Sequence, residues 1–126
     1  MTILTKAKTA SLWYSNTLDT SAKREVVSAG TRVCLRSYNV YSFSDASTPI
    51  MFKTKANFRT TSATATPLFS DYATQSTWNA LGMGNYTTWI EIPGDGILFE
   101  DGLFIDLEKV TTRALTMNTM LTVLYS

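Results

Sequence analysis

The stretch PGDGILFEDGLFIDL, residues 93–107, carries the decision about fold and chemistry in this chain. Its carboxylates are either a metal or catalytic site, or polar turn chemistry between short strands. It contains DGILFE followed directly by DGLFID, a six-residue unit written twice. Two copies do not make a solenoid, because a parallel β-helix needs three or more stacked turns before a continuous core exists. An EF-hand loop needs oxygen ligands at its first, third and fifth positions, whereas the residues after Asp95 are Gly, Ile, Leu and Phe. A weak ion held at a loop end by Asp95, Glu100 and Asp101 is the remaining metal reading. A glycosidase pair would need a cleft and one carboxyl with a raised pKa, and sequence supplies neither. Turn chemistry explains the Asp-Gly pairs better, since Gly accepts positive φ without steric cost and Asp can bond the backbone ahead of it. On that reading Asp95-Gly96 and Asp101-Gly102 bracket a short strand, Ile97 to Phe99, and launch another, Leu103 to Leu107.

Working outward, the 126 residues set the size of one domain, and 44% hydrophobic content is enough for a packed core. Charged residues are only 17%, while Ser and Thr together make up about a quarter of the chain, so hydroxyls carry most of the polarity. Thr in that abundance favours strands. There is no His, which removes the usual base of a Ser or Cys hydrolase and the commonest zinc ligand. The single Cys34 excludes an intrachain disulfide and reads as a small core residue. The opening MTILTKAKTASLWYS lacks the basic start and apolar run of a secretion signal, and no apolar run approaches spanning length, so a soluble, non-exported protein is expected.

A net charge of +1 argues against nucleic acid or an anionic membrane as partner. The charge is nonetheless unevenly spread. Residues 1–59 hold nine basic and three acidic side chains, residues 60–126 two basic and seven acidic. Such a split would make a basic and an acidic side suited to head-to-tail docking, unless early and late strands interleave and cancel it.

Periodicity near two runs through the chain, which predicts an all-β, single-domain antiparallel β-sandwich, jelly-roll-like in layout. A first strand falls within residues 3–15, followed by a polar turn region at 15–25 and a short strand at Val26 and Val27. RVCLRSYNVYSF, 32–43, is long enough for a bulge that shifts which face Cys34, Tyr38 and Val40 present. IMFKTKANF, 50–58, alternates to give one core face and one basic face carrying Lys53 and Lys55. NYTTWIEI, 85–92, sets Tyr86, Thr88, Ile90 and Ile92 against an outward Trp89. TMNTMLTVLY, 116–125, is a closing strand tied into a sheet, with Met117, Leu121, Val123 and Tyr125 toward the core.

Residues 59–85 are the least patterned and read as a long irregular excursion, with a brief strand near 67–72 and one helical turn near 76–81. Tyr72, Trp78 and Met83 in it are either partner contacts or caps on an open sandwich end.

GTRVCLRSYNVYS at 30–42, IEIPGDGILFEDGLFIDL at 90–107 and the terminal TVLYS resemble the small all-β virion proteins of tailed, marine bacteriophages, over about two thirds of the chain. The resemblance implies a small sandwich or jelly roll that decorates or cements a capsid, or sits on a tail, without enzymatic activity, cofactor or metal. It implies a virion protein made in the host cytoplasm, oligomeric, with the major capsid protein or another virion protein as partner. Lys6, Lys8, Trp13, Lys53 and Lys55 are the candidate capsid-facing residues. The competing readings are a tail-tip or lectin-like module stacking a glycan on Trp78, Trp89 and Tyr72, and an enzyme built only from Glu91, Asp95, Glu100 and Asp101.

Overall fold

A computed structural model of the chain describes residues 7–15, 21–44, 50–77, 86–109 and 117–126. They form nine strands: β1 Lys8–Ser15, β2 Ser21–Val27, β3 Val33–Ser44, β4 Ile50–Arg59, β5 Phe69–Thr77, β6 Tyr86–Glu91, β7 Ile97–Phe99, β8 Leu103–Lys109 and β9 Met117–Tyr125. The pairing is that of one long antiparallel ribbon: β4 with β5, β3 with β6 and β7, β2 with β8, β1 with β9. Rolling the ribbon adds two further antiparallel ladders, β9 on β3 and β8 on β4. The result is sheet A, ordered β1-β9-β3-β6 with β7 also on β3, and sheet B, ordered β2-β8-β4-β5. These are the two four-membered sheets of a jelly roll, with β7 added. The all-β sandwich expected from sequence is therefore the fold.

The alternation that predicted strands also fills the core. Leu35, Phe58, Phe99, Leu103, Leu107, Leu121 and Val123 are fully buried, and each contributes roughly 1.5–3 kcal/mol by leaving water. Tyr38, Phe58 and Phe69 form an aromatic triangle with centroids 5.1–5.8 Å apart, tilted or edge-on as the ring quadrupoles favour. The Tyr38 hydroxyl donates to Asp71 Oδ2, which supplies the partner a buried phenol needs. Burial, then that hydrogen bond, then the Asp71 charge together push the Tyr38 phenol well above its ordinary range.

The bulge expected in β3 lies between Leu35 and Ser37, at Arg36. Before it Val33 and Leu35 face the core; after it Tyr38 does. Cys34 falls on the other face and is half-buried, not the core filler expected, because it precedes the shift. Opposite the bulge, β6 and β7 both run along β3, with Glu91 beside Ser37 and Ile97 beside Leu35. Residues 92–96 thus loop out of one interrupted edge strand, and the chain does not reverse at Asp95-Gly96 as a hairpin would. A Cβ on Gly96, at φ +86°, would sit inside contact distance of the Leu35 carbonyl oxygen.

Asp101-Gly102 is where the chain passes from β7 in sheet A to β8 in sheet B. Gly102 has φ +84°, and a Cβ there would lie 2.6 Å from the Val27 carbonyl oxygen and 2.8 Å from the Ser28 carbonyl carbon. Its N–H donates to Thr31 O at 2.7 Å, and its carbonyl accepts from Thr60 Oγ1 at 3.1 Å. Asp101 accepts from Gly30 N–H through Oδ1 and from Thr61 N–H through its carbonyl, and donates its own N–H to Thr60 Oγ1. Thr61 holds φ +77°, uncommon for a β-branched residue, within this mesh.

Two expectations are corrected. β2 starts at Ser21, well before Val26, because β8 pairs with it from Glu108 onward and sets Lys23 opposite Asp106, so its polar residues are held in the ladder. The expected excursion at 59–85 contains β5, paired with β4 through nine consecutive residues, so Ser76 and Thr77 are strand and not helix. Its hydroxyl-rich alternation hides an edge strand; residues 78–85 lie outside the described residues. β9 sits between β1 and β3, and Ser126 exchanges backbone hydrogen bonds with Cys34 at 2.9 and 3.0 Å, so the closing strand is held as expected.

Gly102→Ala is expected to cost about 3 kcal/mol or more in urea denaturation, since backbone strain and a backbone clash add. Gly94→Ala, at φ +69° with nothing within 4 Å of the added carbon, should cost only the left-handed penalty of about 1–2 kcal/mol. Tyr38 keeps its proton in the folded state after the unfolded chain begins losing it near pH 10, so its contribution is intact below that pH and is lost above it. Stability should fall above about pH 10, and Tyr38→Phe should flatten the slope by up to about 1.4 kcal/mol per pH unit.

Candidate interaction faces

The outer face of sheet B is built by strict alternation. β4 turns Thr54, Ala56 and Phe58 inward, which leaves Lys55, Asn57 and Arg59 outward; β8 turns Leu103, Ile105 and Leu107 inward, which leaves Phe104, Asp106 and Glu108 outward. Register then sets Lys55 opposite Glu108 and Asn57 opposite Asp106. On the other side of β4, Tyr72 stands opposite Lys55 and Ser70 opposite Asn57. Arg59 Nη1 donates to Asp106 Oδ1 at 2.6 Å and Asn57 Nδ2 to Asp106 Oδ2 at 3.0 Å. Ser70 Oγ donates to Asn57 Oδ1 at 2.6 Å, and Arg59 Nε reaches Ala65 O at 2.8 Å, which draws the β4–β5 connection toward this face. Asp106 and Asn57 are thereby 4% and 1% exposed although they point away from the core.

A buried ion pair repays its desolvation only when the remaining polar atoms are bonded, and here both carboxylate oxygens and the amide are. Farther along the face, Lys55 Nζ lies 3.9 Å from Glu108 Oε1 and 5.8 Å from the Tyr72 ring centroid. Those half-exposed contacts orient the side chains and are worth under about 1 kcal/mol each.

The uneven charge of the two halves of the chain is cancelled here. Late, acidic β8 inserts between early, basic β2 and β4, so Lys23, Lys55 and Arg59 each lie beside a carboxylate-bearing strand. The basic face expected on residues 50–58 is accordingly a paired one where it is described.

The outer face of sheet A differs. Cross-strand register gives one row of Trp13, Met120, Tyr41 and Thr87, and a second of Ser11, Thr122, Asn39 and Trp89. Neither row contains a charged residue. Trp13 on edge strand β1 is 56% exposed and Trp89 on edge strand β6 is 49% exposed. Between them Ser11 Oγ and Thr122 Oγ1 are 3.1 Å apart, and Asn39 Oδ1 is shielded from water with no hydrogen-bond partner. The nearby Arg36 guanidinium is committed to Ser126 Oγ and Asp95 O, both at 2.9 Å.

The sequence-derived candidates thus divide between opposite faces. Lys55 and Tyr72 share sheet B; Trp13 and Trp89 share sheet A. Lys8 is exposed at the start of β1, opposite Tyr125. Lys53 lies in β4 opposite Thr74, its side chain outside the described residues, and Lys6, Trp78 and Met83 lie wholly outside them. Tyr72 and Trp89 therefore cannot stack one ligand together. Glu91, Asp95 and Glu100 are exposed, Asp101 is spent on Gly30, and among the described residues no three acidic or thiol side chains converge to hold a metal ion. Sequence reading missed Asn39, Asn57, Arg59 and Asp106. Asn57 and Asp106 sit one residue from the core positions Phe58 and Ile105, and only the pairing of β4 with β8 reveals that they meet.

No family model and no curated protein matches this chain. Among solved structures it is similar to a chain of the cryo-EM structure of the giant freshwater prawn Macrobrachium rosenbergii extra small virus (XSV) virus-like particle, at 8% identity and a TM-score of 0.36, covering 99% of this chain and 82% of that one. A likeness of that degree carries no inference about contacts or activity.

Asp106→Ala strands the Arg59 guanidinium and the Asn57 amide, and should cost about 3–5 kcal/mol in chemical denaturation. Lys55→Ala, at the exposed end of the same face, should cost under about 1 kcal/mol.

Proposed function

We propose that this chain is a structural protein of a virion, of the decoration or cement type, bound to the capsid lattice of a tailed phage and carrying no catalytic activity, cofactor or metal. The outer face of sheet B carries this reading. Lys55 lies between Glu108 and Tyr72 beside the hydrogen-bonded Asn57–Asp106–Arg59 network, which makes this face a surface of mixed sign. On such a surface opposed charges select orientation more than they add affinity. Modest affinity per copy suits a lattice, where many copies, or an oligomer of this chain, gain by avidity. The sequence resemblance to small virion proteins supports the same reading, with the major capsid protein or another virion protein as partner and neither nucleic acid nor membrane.

Mass spectrometry of purified particles should find this chain at a copy number matching the capsid lattice; its absence from particles refutes the proposal, and a copy number of a few places it on the tail. Recombinant chain should rebind stripped capsids at low ionic strength and release as salt approaches about 1 M, where screening shortens to about 3 Å. Lys55→Glu should weaken capture and flatten its salt dependence.

A further inference from the structure

We propose that the outer face of sheet A is a binding site for a neutral oligosaccharide, seated between Trp13 and Trp89. The inference stands apart from lattice docking, which uses the opposite face. A pyranose presents a C–H face to be stacked and a rim of hydroxyls to be bonded. The negative face of an exposed indole attracts polarised C–H groups, and amide and hydroxyl side chains match the rim. Sheet A supplies both. Trp13 and Trp89 stand on its two edge strands, three strand spacings or about 14 Å apart across the sheet. That is the span of a short oligosaccharide and too wide for a single sugar. The residues between them in register are Thr122, Met120, Asn39 and Tyr41, none of them charged.

Asn39 gives the site its second, independent mark. Its Oδ1 is removed from water and has no partner among the described residues, an arrangement that costs stability unless a donor is supplied. It lies directly opposite Trp89 in the β3–β6 ladder. A sugar ring stacked on Trp89 lies beside the part-exposed Asn39 amide, and a turn of that side chain would bring Oδ1 out to accept a sugar hydroxyl, while Ser11 and Thr122, already 3.1 Å apart, offer hydroxyls on the Trp13 side. The absence of charge in both rows selects a neutral glycan over an anionic one. A second protein is the other conceivable occupant of such a face, and the test separates the two.

Cello- and chito-oligosaccharides and mannan fragments, with a heparin fragment as the anionic control, should be titrated against the full chain, reading tryptophan fluorescence and calorimetric heat. At least one neutral probe should bind and shift the indole emission, with heparin silent. Trp13→Ala and Trp89→Ala should each weaken binding about tenfold, with Trp→Phe variants retaining part of it. Unchanged thermal melting will show that these exposed positions leave the fold intact, and Lys55→Glu should leave sugar binding unchanged. The proposal fails if no neutral probe binds, if heparin binds better, or if binding survives both alanine variants. It also fails if the tryptophan variants lose capture by stripped capsids, which would make this face the protein interface.

Discussion

The passage from sheet A to sheet B at Asp101-Gly102 is the constraint on which the rest of the structure depends. The corner is close enough to the β2–β3 connection that no side chain fits at Gly102, and the backbone polar groups of Asp101 and Gly102, with Asp101 Oδ1, are engaged with residues 30–31 or 60–61. Three connections that are distant in sequence are therefore locked at one end of the sandwich. On either side of that corner β7 lies along β3, and β8 lies between β2 and β4. The same carboxylate that looked like a candidate ligand is a hydrogen-bond acceptor for a loop seventy-one residues away in the chain.

That placement of β8 decides the electrostatics. A chain whose first half is basic and second half acidic would make a strongly dipolar body if its halves folded apart. Rolling the ribbon sets acidic residues among basic ones, and Arg59–Asp106 becomes a part-buried pair with both carboxylate oxygens bonded in place of a surface patch. The energetic role of the pair lies more in register than in net stability: sliding β8 by one residue would turn Asp106 toward the core and Ile105 toward solvent. A polar pair at the centre of an outer face thus discriminates against slipped ladders in a protein whose strands are otherwise rich in interchangeable hydroxyls.

The strands flanked by clear turn residues were legible in the sequence: β7 coincides with Ile97 to Phe99, and β8 begins at Leu103 as its alternation requires. The β3 bulge was legible because RVCLRSYNVYSF is too long to alternate without interruption. β2 and β5 were not, since SAKREVV and FSDYATQST carry so few apolar residues that period two is hard to see. Both are edge strands, and an edge strand needs less apolar content because only one neighbour and one face hold it. The extended loop at 92–96 was hidden for a different reason: Asp-Gly signals a sharp backbone feature but does not say whether the chain reverses or bulges. As for the candidate faces, exposed Trp13 and Trp89 could be named from sequence, whereas their sharing of a face depends on β1 and β6 being brought to opposite edges of one sheet by β9 and β3.

The jelly-roll order keeps the two proposed binding faces apart in so small a body. The outer face of sheet A draws its residues from β1, β3, β6, β7 and β9, and that of sheet B from β2, β4, β5 and β8, with no strand contributing to both. The two sheets pack about 10 Å apart, and the outward side chains lie farther still. Substitutions separated by that distance without shared partners act additively. Side chains that link the two sheets include Tyr38, whose hydroxyl reaches Asp71 of β5 through the core, and Arg24, which reaches from β2 to the Ser11 carbonyl of β1. Ser11 occupies the Trp89 row, so the coupling runs through backbone position and not through charge. The two proposed faces can therefore diverge independently, because they share a core but almost no side chains.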